Sequence, residues 1–119
     1  MAIAVAQKPE ITWNEENWEQ FQRTIPQGTA ALRPSVTVII PTLNEAKNLP
    51  LILPFIPMDW VDEVLLVDGR STDNTVEVAR QLLPSIRVIL EKTPGKGAAM
   101  RAGYRAASSE IVIILDADG

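Results

Sequence analysis

From Ser35 onward the chain alternates between runs that are apolar on both faces and segments that carry one apolar stripe. Residues 36–40 are a continuous β-branched run that Pro41 stops, and residues 63–67, 86–90 and 111–115 repeat the pattern. Such runs suit strands covered on both sides in a parallel sheet. Between them lie helix-length segments. Residues 45–56 follow Asn44, a good N-cap, while Pro50 and Pro54 predict a short or broken helix. In residues 74–83, Val76, Ala79 and Leu83 fall at i, i+3 and i+7, with Asp73 as cap and Glu77 in the first turn. Residues 97–107 are rich in alanine and predict a flat face for close packing. Strand-helix alternation of this kind means βαβ units with right-handed crossovers. The expected fold is α/β: an open, mostly parallel sheet with helices on both faces.

Residues 1–34 read differently. Trp13, Trp18 and Phe21 stand among Glu, Gln and Asn, punctuated by Pro9, Pro26 and Pro34. Trp18, Phe21 and Ile25 share one face at helical spacing, so a short helix after Asn14 is expected. The plain reading is an N-terminal extension that packs on the domain or stays loose; a partner-docking helix is the sharper one. Residues 35–119 then form the domain proper.

Composition narrows the chemistry. At 119 residues, 46% hydrophobic and 22% charged, the chain has the make-up of one globular domain. Eleven basic against fifteen acidic side chains argue against a nucleic-acid partner, which needs clustered cations. There is no cysteine and no histidine. Disulfides, thiolate sites, a Ser-His-Asp triad and histidine bases are therefore excluded. The N-terminus lacks the pattern of a secretory signal, and the most apolar stretch, residues 49–58, is broken by three prolines. A membrane span needs about twenty apolar residues. The expected setting is cytoplasmic, with no membrane segment in this chain and, for a longer form, the cytoplasmic face of the membrane.

Ligands of open α/β sheets bind beyond the carboxyl ends of the strands. The residues that follow the four runs are Pro41, Thr42, Leu43, Asn44 and Glu45; then 68–73; then 92–97; then Asp116, Ala117, Asp118 and Gly119. Acidic and turn-forming residues thus collect on one rim. Asp116 and Asp118 either end a strand in a turn or converge on one ion; without His or Cys, hard oxygen ligands select Mg²⁺ or Mn²⁺. Gly95-Lys96-Gly97 either opens a helix or brings an ammonium near phosphate. It is not a P-loop, because Gly97 follows Lys96 and position 90 is Leu; with Met100 in the third glycine's place it is not a G-x-G-x-x-G either. Ser71, Thr72 and Asp73 suit a turn and helix cap, Asp68 is the acid expected to face ligand, and Arg101 and Arg105 read as solvated surface.

Taken together, V-T-V-I-I-P-T-L-N-E (36–45), V-D-G-R-S-T-D-N-T (67–75), P-G-K-G-A-A-M-R-A-G (94–103) and I-I-L-D-A-D-G (113–119) resemble the family 2 glycosyltransferases of GT-A fold. The branch they most resemble includes the polyprenyl-phosphate sugar transferases. The resemblance covers residues 35–119 in order and implies the N-terminal, Rossmann-like half of that fold, which binds a UDP- or GDP-linked sugar donor with Mg²⁺ or Mn²⁺. It implies that Pro41, Leu43 and Glu45 border base and ribose, with Thr42 beside them, and that Asp68 helps hold the nucleoside. It also implies that Asp116 and Asp118 manage ribose, diphosphate and metal, with Lys96 adding positive charge. Hexosyl transfer to an acceptor, a polyprenyl phosphate being the candidate, follows in the complete enzyme.

Two departures stand out. Many members carry two adjacent acids after the second strand, where this chain has Asp68-Gly69. The family's catalytic base and acceptor half lie beyond the D-x-D motif, so both are expected C-terminal to Gly119 and the 119 residues are expected to be inactive alone. A sugar nucleotidyltransferase would place a glycine-rich loop where this chain has P-T-L-N-E. A receiver-like module would want an acidic pair there and an Asp after the third strand, where Glu91-Lys92-Thr93 stand.

Overall fold

The computed structural model describes residues 3–7, 15–24 and 33–117, without the side chains of 3–7, 18 and 21–24. Eight elements follow in order: β1 (Ile3–Gln7), α1 (Glu15–Thr24), β2 (Val36–Thr42), β3 (Glu63–Asp68), α2 (Thr75–Leu82), β4 (Arg87–Leu90), α3 (Lys96–Ala106) and β5 (Ile111–Leu115). They build one sheet in the order β1-β5-β2-β3-β4. The block β5-β2-β3-β4 is parallel throughout, and β1 joins β5 antiparallel, Val5 opposite Ile113. The sheet is thus open and mostly parallel, as the apolar runs require.

Alternation along β2 sorts the core into two layers. Val38 and Ile40 face one side with Val64 and Leu66, under Ala79 of α2 and the apolar residues Leu49, Ile52 and Leu53. Ile39 faces the other with Leu65, Val67 and Val112, under Ala99 of α3. The alanine face of α3 allows a very close approach. A Cβ added at Gly103 would lie 2.6 Å from Ile39 Cγ2 and 3.1 Å from Val67 Cγ2. Overpacking of that kind is destabilising, so Gly103 is required by packing and not by its backbone angles.

The segment after β2, where a short or broken helix is expected over 45–56, is broken. It forms two short 3-10 turns, Leu49–Leu51 and Leu53–Phe55, each with proline near its start. Pro50 and Pro54 lack the N–H groups that continuing α-turns would need. Leu49 and Leu53 still reach the core, while Leu51 and Phe55 stay exposed.

At the amino ends of the strands, polar groups tie distant segments together. Arg33 donates to both carboxylate oxygens of Asp62, at 2.9 and 3.1 Å, and Asp62 Oδ2 also accepts the Val36 N–H at 2.7 Å. Buried Thr37 donates to Ser109 Oγ at 2.7 Å and shares the Glu63 carboxylate at 3.2 Å. Strand β1 is an element that the hydrophobic pattern did not announce. The expected stripe of Trp18, Phe21 and Ile25 lies outside what the structure describes, as do Asp118 and Gly119. No helix among the described residues is long and apolar enough to cross a membrane.

Candidate functional site

β5, β2 and β3 end side by side, so the loops that follow them form one continuous rim. Pro41 and Thr42 are the last residues of β2, both buried and in register with Val67 and Asp68 of β3. Leu43 and Asn44 then turn out into solvent, and Asn44 does so with φ of 56°. Asparagine tolerates this left-handed region better than most residues.

Asp68 differs from the expectation that it faces ligand. It is 2% exposed. Its Oδ1 accepts from Thr42 Oγ1 at 2.9 Å and from Ser71 Oγ at 2.6 Å, and its Oδ2 accepts the Ser71 N–H at 2.8 Å. Burying a carboxylate is costly unless such donors surround it, and here the local chain supplies them. What Asp68 provides to the rim is the shape of the turn over 68–71.

A second set of bonds clasps the β2 loop to the β3 loop. Asn44 Oδ1 accepts the Thr72 N–H at 2.8 Å, the Asp73 N–H at 3.2 Å and the Thr72 hydroxyl at 3.2 Å. In return the N–H groups of Asn44, Glu45 and Ala46 donate to Ser71 Oγ, Thr75 Oγ1 and Asp73 Oδ2. Asp73 Oδ1 accepts from both the N–H and the hydroxyl of Thr75, the first residue of α2, although the N-cap position belongs to Asn74 and not to Asp73 as expected. The Thr75 hydroxyl holds the Asp73 carboxyl below its ordinary 3.8, and backbone N–H groups add to this. Glu45 keeps its carboxylate on the rim, where Oε2 accepts from Asn48 Nδ2 at 2.7 Å.

On the other side of the rim, α3 begins at Lys96 and β5 ends just before Asp116. Lys96 Nζ approaches Asp116 Oδ2 to 2.6 Å, with side-chain exposures of 50% and 23%. Two residues 20 apart in sequence, singled out separately, thus meet. Thr42 and Asp68 meet as well, whereas Leu43 and Glu45 follow on the β2 loop, beside Gly69 of the β3 loop and Thr75 of α2. Asp118 lies outside the described residues, and among those described no cluster of three or more acids gathers that could hold a metal alone. Sequence reasoning missed two rim residues. Asn44 was expected as a helix cap, although its type also suits a left-handed bridge. Arg70, with φ of 68°, was passed over inside a turn.

The comparisons with known proteins agree with one another. The family described as Glycosyl transferase family 2 matches residues 37–119. An uncharacterized glycosyltransferase of Mycobacterium bovis is 44% identical over 85 residues, which cover 71% of this chain and 37% of the relative. The undecaprenyl-phosphate 4-deoxy-4-formamido-L-arabinose transferase of Pseudomonas savastanoi pv. phaseolicola is 33% identical over 93 residues, covering 70% and 28%. The chain therefore spans well under half the length of either relative. Among solved structures, glucosyl-3-phosphoglycerate synthase from Mycobacterium tuberculosis in complex with Mn²⁺, UDP and glucosyl-3-phosphoglycerate superposes with a TM-score of 0.66 at 27% identity. That match covers 78% of this chain and 39% of the synthase. The same synthase with Mg²⁺ and UDP gives 0.64 at 25% identity, covering 91% and 38%.

Proposed function

The chain belongs to glycosyl transferase family 2, and on that premise we propose that it binds a UDP- or GDP-linked sugar together with Mn²⁺ or Mg²⁺. We propose further that the whole protein transfers the hexosyl group to an acceptor, with a polyprenyl phosphate as the leading candidate. In this reading residues 35–119 are the nucleotide-sugar-binding part and residues 1–34 an extension. Support for the donor comes from the synthase crystallised with UDP and either metal. Support for the acceptor class comes from the relative named for undecaprenyl phosphate.

The observation that carries the reading is the Lys96–Asp116 pair on the strand-end rim. It brings one cation and one anion to the place where a diphosphate and its counter-ion need both. The residues fit a hard divalent ion. Asp116 is partly exposed and meets an ammonium at the rim, whereas Asp68 is buried with its oxygens among local donors. Asp116 and Asp118 would hold the ion, since Mg²⁺ and Mn²⁺ bind through one or two carboxylates and complete their shells with phosphate and water. When bound, the ion offsets charge gathering on the departing nucleotide diphosphate.

The chain's own residues do the remaining work of binding and orientation. Lys96, released from Asp116, places its ammonium against diphosphate oxygens. Pro41, Leu43 and Glu45 border base and ribose, on a floor formed by Thr42 and Asp68. Asp68 thus serves the nucleoside indirectly, by fixing the turn beneath it. None of these residues is proposed as a general base.

Calorimetric titration with UDP and GDP, each with Mn²⁺, tests the assignment. The double variant Asp116→Ala/Asp118→Ala is expected to weaken metal-dependent binding by about a hundredfold or more, the scale of losing charge-assisted contacts. Unchanged affinity in that variant would overturn the reading.

A further inference from the structure

Two described residues other than glycine hold positive φ, Asn44 at 56° and Arg70 at 68°. Asn44 repays the strain through three accepted hydrogen bonds. Arg70 does not. Its side chain is exposed, and among the described residues it meets no hydrogen-bond or ion-pair partner. The left-handed region suits glycine and costs any residue with a Cβ, so arginine gains nothing for the fold at this position.

The preceding residue shows the opposite mismatch. Gly69 does not have positive φ. A Cβ there would meet only the Thr42 carbonyl oxygen at 3.5 Å and Leu43 Cδ1 at 4.0 Å, both ordinary contacts. Glycine thus stands where the backbone does not need it, and arginine stands where the backbone would prefer glycine. A strained residue kept at a functional rim motivates a functional hypothesis.

Position along the rim says what the ligand part is. Neighbouring strands lie about 4.8 Å apart, so the loop after β3 is two strand spacings, roughly 10 Å, from the one after β5. That is the order of length of an extended nucleoside diphosphate. With its diphosphate at Lys96 and Asp116, such a ligand lying along the rim brings its base to Leu43, Gly69 and Arg70.

We infer that Arg70 selects the base of the nucleotide, donating to O4 of uracil or O6 of guanine, the carbonyl oxygen that an amino group replaces in cytosine and adenine, above the bare backbone of Gly69. A guanidinium has five N–H donors and no acceptor. It therefore cannot satisfy the exocyclic amino group that cytosine or adenine presents at the corresponding ring position. The inference rests on the donor reading above and names the base class for it.

The test titrates the chain with UDP, GDP, CDP and ADP in the presence of Mn²⁺, alongside thermal melting. The unmodified chain is expected to bind UDP or GDP at least about tenfold more tightly than CDP and ADP, the scale of a hydrogen bond to a charged group. Arg70→Gly is expected to melt at the same temperature or higher while losing that preference, and Arg70→Lys to retain part of it. Gly69→Ala is expected to fold normally and bind the preferred nucleotide more weakly. An Arg70→Gly chain that keeps the preference overturns the assignment. So does an equal loss for all four nucleotides, which would place the guanidinium on phosphate. Failure of the unmodified chain to bind any of the four overturns the donor reading itself, and the base assignment with it.

Discussion

The two ends of the parallel block are both rich in polar side chains, yet they spend them differently. At the amino ends of the strands, Arg33, Asp62, Thr37, Glu63 and Ser109 engage one another and the backbone across the chain. At the carboxyl ends, Asn44, Ser71, Asp73 and Thr75 are likewise committed to holding two loops together. Beyond that clasp, however, the rim presents charged groups to solvent: the half-exposed Lys96, the Glu45 carboxylate and Arg70, which has no partner among the described residues. Hydrogen-bond density alone does not locate a site. What distinguishes the rim is charged side chains held in place and still open to solvent.

This contrast makes separable predictions. Asp62→Ala would leave the Arg33 guanidinium and the Val36 N–H without their shared acceptor. A loss of about 1–2 kcal/mol is expected in denaturant unfolding, discounted for the exposure of the pair, with nucleotide affinity untouched. A large fall in affinity would mean that the two ends are not independent. Asn44→Ala removes three accepted bonds and keeps the positive-φ strain, and about 1 kcal/mol of stability should go with it. Here nucleotide affinity should fall too, because the clasp shapes the rim. Asn44→Gly, free of the strain, should recover part of the stability and little of the affinity; recovery of both would show that the amide bridge is dispensable.

The smallest effect is in acid. The Arg33 guanidinium lowers the Asp62 carboxyl below 3.8, as Thr75 lowers Asp73, so each end of the sheet carries a depressed carboxylate. A depressed folded-state pKa adds stability above the unfolded value and loses it as pH falls through the folded one. Unfolding monitored below pH ~4 should therefore show a decline that Asp62→Asn and Asp73→Asn each make shallower. A slope unchanged in both variants would remove these two groups from the account.

How far the sequence was legible follows the range of the interactions. Residues 36–40 and 64–67 read as buried strands because every position is apolar or β-branched, a local property. Val76, Ala79 and Leu83 gave the buried face of α2 for the same reason. Asn44 did not read correctly, because its partners, Thr72 and Asp73, lie 28 and 29 residues away and no capping rule sees them. Asp68 was placed at its strand end, but its orientation depends on Thr42 across the strand pair. Strand β1 exists only through its pairing with β5, which its five residues do not encode by themselves.

The close seat of α3 has a mechanical side. Gly103 pins the helix against Ile39 and Val67, and Lys96 stands seven residues away at the helix start, a lever arm of about 10 Å. Were a methyl group at position 103 to tilt the helix by ~10°, its tip would swing by roughly 2 Å. Displacement on that scale is enough to part the ammonium from Asp116, and misplacements of about 1 Å can cost a reaction a hundredfold. A glycine buried between α3 and the sheet is thereby a fulcrum, setting the aim of a charge that it never touches.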